Sequence, residues 1–333
     1  MSNTQPQGPP YAPQIATLGG QPTPIPDVVI CSILIAIYAG SAAGNISTNL
    51  LNKRKGHNFL ISMALFGFSM ARILTCSLRI GVAYHPTNVS LSIAAQILLN
   101  AGVLIVYVVN LIFAQRIIRA RQPEIGWHPV FRAFFKILYG LVGLALVLVI
   151  TFIVIQFYTL DTELRQACRD VQLAAITYLL FVTVVPLVIL AVTWSLKRSP
   201  RAEKFGTRDS YGGGVDTWSM GQKSLILLVS ALLCTLGAGF KAGSQFEDPR
   251  PKSDPAWYQS KAALYVFTFL IEILILYMFL LTRVDHRFWV PDGSSKRRTF
   301  ARVADEVAQS HAKDSPEQTQ SSARTSTEAK EEV

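Results

Sequence analysis

Seven blocks of apolar residues, separated by short polar stretches, organise the chain. They run at roughly 27–50, 59–82, 89–114, 134–158, 171–196, 222–241 and 262–282, each close to the roughly 20 residues that cross a hydrocarbon core. Periodicity alone does not separate a buried strand from a buried helix, but these lengths are helix lengths. The expected fold is therefore all-α, a polytopic membrane protein built as a bundle of seven transmembrane helices. Around that bundle the pattern lapses. Residues 1–26 are rich in Pro, Gln, Thr and Gly and carry no charge before Asp27, so they read as a disordered tail rather than a signal sequence. The seven-helix domain takes 27–283. Residues 284–293, within "RVDHRFWVPDG", put Phe288 and Trp289 beside basic residues, as suits an interfacial juxtamembrane segment. Residues 294–333 are rich in Ser, Thr, Glu, Lys and Gln and read as a disordered tail.

Composition agrees with this division. Of 333 residues, 50% are hydrophobic and 16% charged, where a soluble domain carries about a quarter charged. The net charge of +10 would suit nucleic acid if it lay in one patch, but it follows the loops instead. The first loop holds Lys53, Arg54 and Lys55, and the third holds Arg116, Arg119, Arg121 and Arg132. The fifth holds Lys197, Arg198, Arg201, Lys204 and Arg208, and nine more Lys and Arg follow from Arg283 onward. The N-terminal tail and second loop hold none, and the fourth and sixth mix both signs. The bias places the N-terminus outside and the C-terminus in the cytosol, and it leaves nucleic acid unneeded as a partner. The lipid bilayer is the first partner; the plasma membrane and an endomembrane both suit the pattern.

Polar residues inside the spans carry the candidate chemistry. On helix two, Ser69, Arg72, Cys76 and Arg79 fall on one stripe. Arg79 lies near the outer end, where it can snorkel. Arg72 lies roughly 15 Å deep at 1.5 Å per residue, where a charge is costly and needs an answer. Glu272 on helix seven and Asn100 on helix three reach a similar depth, so Arg72, Glu272 and Asn100 can form one intramembrane polar layer with Glu272 as the counter-ion. Gln96, Asn100, Tyr107 and Asn110 share a face of helix three. On helix one, Ala36, Gly40 and Gly44 form a small-residue stripe suited to close packing, flanked by Ser41, Asn45 and Asn49, which can extend the polar layer inward. Ser69, Arg79, Gln96, Tyr107, Asn110, Asn45 and Asn49 thus form the flanking stripe.

Other chemistries lack their residues. The five histidines avoid the span interiors, and the four cysteines form no C-x-x-C pair, so no metal site is expected. The glycines of "DSYGGGVD" precede no Lys-Ser/Thr pair and read as a linker. No serine elbow or H-E-x-x-H occurs. Neither a cofactor nor an enzymatic activity is implied. Asn88 in "HPTNVS" forms an outer sequon close to the membrane.

Three stretches, "NKRKGHNFLISMALFGFSMARILTCSLRI", "AGVLIVYVVNLIFAQRIIRARQPEIGWHP" and "RVDHRFWVPDG", resemble a family of fungal seven-helix membrane proteins labelled family-C-like G-protein-coupled receptor proteins. The likeness covers roughly residues 27 to 293, in keeping with the seven-span pattern. A more distant likeness is to fungal lipid-translocating exporters. The resemblance implies a receptor-like protein, sensing a ligand from outside and signalling to a cytosolic partner through its basic loops and tail. The alternative is a translocator of a lipid or small molecule that uses the Arg/Glu layer as its path.

Overall fold

A computed structural model describes residues 8–11, 15–54, 59–203, 205–206 and 219–290. Among these residues, seven helices are long and apolar enough to cross a membrane. They are α1 (Pro24–Arg54), α2 (Leu60–Tyr84), α3 (Val89–Arg121), α4 (Pro129–Tyr158), α5 (Thr162–Ser195), α6 (Met220–Phe246) and α7 (Lys261–Leu281). A single turn, α8 (Val284–Arg287), follows. Most of the helices outrun their apolar cores because polar residues at their ends cap them. The Asn88 side chain accepts the Leu91 N–H at 3.1 Å at the start of α3, and Asp161 accepts from Glu163 N–H at the start of α5. The cap at Asp161 starts α5 nine residues before the apolar run at about 171. Arg165 and Arg169, expected in a loop, therefore stand on a helix.

The helices pack in chain order, each on the next, and α7 returns to α1 to close the ring. The lower half of α3 also packs on α5 and α6, which makes it the central element. Its Leu111, Phe113, Ala114 and Ile117 are fully buried. In contrast, α4 leaves Ile137, Leu141, Leu144 and Val147 exposed at helical spacing, a face that suits lipid. The small-residue stripe of α1 meets α7: a methyl on Gly40 would collide with the Tyr277 hydroxyl, and one on Gly44 with Leu280. Tyr277 Oη in turn donates to the Ile37 carbonyl at 2.8 Å.

Two helices break their regular hydrogen bonding. In α3 the α-helical pattern lapses at Gly102–Val103. In α7 residues Tyr265–Leu270 form a π-helical turn directly before Glu272, a feature common near functional sites. Gly237 of α6 fits against that turn, since a Cβ there would lie 3.1 Å from the Phe267 carbonyl oxygen.

The two ends of the bundle differ. At the N-terminal end, residues 15–20 lie over the helix ends rather than standing apart. Ala16 N–H donates to Arg250 O at 2.8 Å and Gly19 N–H to Gln259 O at 3.0 Å. At the other end Phe288 does not sit at an interface. It is fully buried and stacks on Phe113 with ring centroids 4.0 Å apart. The reason is the left-handed residue Arg283 (φ 49°), which turns the chain under the bundle. Asn52 then fixes α8 by donating to Asp285 at 2.8 Å. The glycine-rich stretch 209–216 and the tail from 291 lie outside the described residues.

Candidate functional site

Arg72 and Glu272 meet directly in the middle of the bundle. Arg72 Nε donates to Glu272 Oε2 at 2.6 Å, and its NH2 group donates to Oε1. The pair is thus bidentate, the strong form of the Arg–carboxylate contact. Arg72 is 0% exposed and Glu272 3%, so both charges depend on the protein for their hydrogen bonds. Tyr38 of α1 donates to Glu272 Oε2 and is equally near the Phe269 carbonyl, both at 3.2 Å. Phe68 and Phe269 hold the guanidinium between their rings at 5.4 and 5.6 Å.

The third partner expected of this layer, the side chain of Asn100, is not there. Arg72 NH1 donates instead to the carbonyls of Leu98 and Leu99 at 3.3 and 3.2 Å. The break in α3 explains the replacement. Where the regular helical bonding lapses at Gly102–Val103, the Leu99 carbonyl is left to accept from a side chain, while Leu98 O accepts from Arg72 in addition to its helical bond from Gly102 N–H at 3.3 Å. Gly102 also gives the guanidinium room, since a Cβ there would stand 3.1 Å from Arg72 Cζ. Asn100 donates to Gln96 O on its own helix at 2.8 Å and faces the outer cavity described below.

The same break splits the stripe of α3. Gln96 and Asn100 line the outer cavity. Tyr107 and Asn110 face α6: Asn110 accepts from Ser230 at 2.8 Å and donates to Cys234 Sγ at 3.2 Å. Ser69 bonds Ser41 across α1 and α2 at 3.1 Å. Asn45 donates back to Ser41 O within α1 at 2.9 Å, and Asn49 is half-buried. The inner stripe therefore serves helix contacts more than it extends the charged layer. A small cavity of about 30 Å³ adjoins Glu272, lined also by Tyr107, Cys234 and Lys241. It has room for a water molecule.

Arg79 does not snorkel. It is 5% exposed and donates to Asp27 Oδ1 at 3.2 Å. Asp27, itself 0% exposed, also accepts from Lys261 and from Tyr265 Oη, the latter at 2.6 Å. The Thr23 N–H closes the group at 2.8 Å. A carboxylate at the mouth of α1 thus answers the arginine at the mouth of α2. The depth argument that pairs Arg72 with Glu272 would also pair these two, but Asp27 reads in sequence as the edge of a span.

Above these groups lies a cavity of about 540 Å³ at the N-terminal end of the bundle, the end expected from loop charge to lie outside. Residues 15–18 help to roof it; Arg79, Gln96, Asn100, Arg169 and Gln172 line it. Its volume is in the range of small-molecule sites, roughly 300–1,000 Å³. Neither Arg72 nor Glu272 lines it.

Residues 123–211 and 216–289 match the family model described as "Protein of unknown function (DUF3112)". The interruption falls in the glycine-rich stretch of sequence between α5 and α6. The matched region contains Glu272, Lys261 and the arginines of α5, whereas Arg72, Arg79 and Asp27 precede it. No curated protein and no solved structure matches the chain.

Proposed function

We propose that this integral membrane protein is receptor-like: it takes a ligand into the outer cavity and passes the effect through α3 and α7 to its cytosolic face. The observation that carries the reading is the contrast between that cavity, about 540 Å³, and the closed layer beneath it, where Arg72 and Glu272 are 0% and 3% exposed and occupy each other. A translocator needs its polar layer to line a route. Here aromatic rings and main-chain carbonyls crowd it, and the cavity beside Glu272 is only about 30 Å³. The breaks in α3 and α7 lie at the level of the ion pair, so a shift at the cavity can be relayed where these helices are least regular. The resemblance to the receptor-labelled fungal family points the same way, and the chemistry expected is recognition rather than catalysis.

The cytosolic face suits a partner of acidic character. Lys53, Arg54, Arg132, Lys197, Arg198 and Arg201 are exposed there. Arg119 and Arg121 are not free for it, because they lie over the rings of Trp127 and Trp194 at 4.5 and 3.9 Å.

The test is translocation of a fluorescent phosphatidylcholine in vesicles containing purified protein. Wild-type vesicles should translocate no faster than protein-free ones. Fast translocation that disappears in a still-folded Glu272→Gln variant would overturn the receptor reading and make the polar layer a path.

A further inference from the structure

Two residues in the wall of the outer cavity carry unmet hydrogen-bond donors. Arg79 Nε is buried and has no partner among the described residues, although the same guanidinium bonds Asp27. Gln172 Nε2, on the far side in α5, is also buried without a partner. Both residues line the cavity. Buried donors left unpaired are costly and uncommon, and a ligand acceptor is one remedy.

Charge at the site points to the sign of that ligand. Arg79 and Lys261 share the single carboxylate group of Asp27, so this cluster keeps a net positive charge. On α5, Arg165, Arg169 and Gln172 line the cavity at steps of four and three, one helix face. Arg165 donates to Thr159 O at 2.8 Å and Arg169 to Glu247 O at 2.6 Å. These are neutral carbonyls, so the hydrogen bonds leave the arginine charges in place. Glu247 and Asp248 also line the cavity but stand exposed at its rim. The wall from α4 is mainly apolar, with Val149, Ile153 and Phe157 beside a single polar residue, Gln156.

We propose that the cavity binds a small amphipathic anion, an oxyanion head on an apolar body. The head sits in the polar part of the cavity, among Arg79, Arg169 and Gln172, and the body lies along Val149, Ile153 and Phe157. This deepens the receptor reading and rests on it for its biological meaning, while the binding itself can be tested alone. The same chemistry reaches the cavity from water, as a soluble carboxylate, or from the bilayer, as a free fatty acid.

The experiment is saturation binding of radiolabelled octanoate to the full chain in phosphatidylcholine nanodiscs, with empty nanodiscs as the blank. Octanoate should bind saturably and be displaced by unlabelled octanoate but not by octylamine or octanol. Arg79→Gln should weaken binding about tenfold or more, as loss of a charge-assisted bond implies. Because Arg79 also holds Asp27, Gln172→Leu is the safer variant, and it should weaken binding several-fold with the fold intact. Competition by oleate preloaded in the nanodisc would assign the ligand to the bilayer; its failure beside successful octanoate binding would assign it to water, and either supports the site. Octanoate binding no better than octylamine, or unchanged in Gln172→Leu, would overturn the proposal. A pair of spin labels at Arg132→Cys and Lys197→Cys separates the two ideas. Binding without a distance change keeps the anion site and removes the receptor reading, whereas absent binding removes the anion site whatever the vesicle assay gives.

Discussion

Arg72 and Arg79 stand two turns apart on one face of α2, and their surroundings could hardly differ more. Arg72 meets its carboxylate with two nitrogens and uses the third on main-chain carbonyls, with an aromatic ring on either side. Arg79, in the wall of a cavity, shares its carboxylate with Lys261 and leaves Nε without a partner among the described residues. The first is a finished interaction with nothing left to give. The second is an incomplete one, held in place by its neighbours. A charge inside a membrane protein can thus be a lock or an invitation, and the hydrogen-bond inventory separates them better than depth does.

The largest effect should come from breaking the finished pair. Arg72→Leu or Glu272→Leu alone strands a buried charge and should cost about 3–5 kcal/mol of stability. The double variant Arg72→Leu with Glu272→Leu should recover most of that, because it strands nothing. Reversible unfolding in mixed micelles measures all three; a double variant as unstable as the summed singles would end the description of a matched pair.

A smaller effect tests the close fit around Arg72. Gly102→Ala places a methyl 3.1 Å from Arg72 Cζ and should cost about 1–3 kcal/mol, the usual penalty of overpacking. Gly140→Ala in α4 meets nothing within 4 Å and should be neutral or slightly stabilising. Equal behaviour of the two glycines in the same unfolding assay would remove the idea that α3 is broken to admit the guanidinium.

The incomplete site should respond with the opposite sign. Gln172→Leu removes a buried unpaired donor, so thermal stability should hold or rise by about 1 kcal/mol, while octanoate binding falls. A loss of stability would mean that Gln172 already has a structural partner and that the comparison is wrong at that residue.

The smallest effect lies at the C-terminal end of the bundle, where Asp285 resembles the finished pair. Burial raises its carboxyl pKa, but bonds from Arg283 and Asn52 and the nearby charge of His286 outweigh this and hold it below the ordinary range. A depressed folded value means that its contribution is present above the unfolded value, near 3.9, and is lost as pH falls through the lower folded value. Asp285→Asn should lower stability at neutral pH by a small amount, flatten the acid limb of the profile and leave its most acidic end nearly unchanged.

Much of this was readable in the chain. Seven helix-length apolar blocks predict the bundle, and equal depth predicts the Arg72–Glu272 contact. What could not be read were the places where a helix departs from regularity. Nothing in "NAGVLIV" announces that the break at Gly102–Val103 will hand Arg72 the Leu99 carbonyl and displace Asn100. The π-turn before Glu272 is equally silent, because backbone hydrogen bonding there answers to Gly237 and Tyr38 on other helices. Asp27, Arg165 and Arg169 were read as boundary or loop residues because hydropathy marks the apolar core and not the capped helix end. Phe288 looked interfacial by composition and turned inward through the backbone at Arg283.

The central claim is that the outer cavity ends above the Arg72–Glu272 layer. Cysteine accessibility measures this most directly, with a membrane-impermeant thiol reagent added from outside to a chain whose four native cysteines are replaced. Asn100→Cys, in the cavity wall, should be modified readily, and Ser69→Cys, 0% exposed one turn below Arg72, should resist. Modification of Ser69→Cys at a rate comparable to Asn100→Cys would mean an aqueous route through the layer, and the account of a closed lock beneath a receptive site would fall.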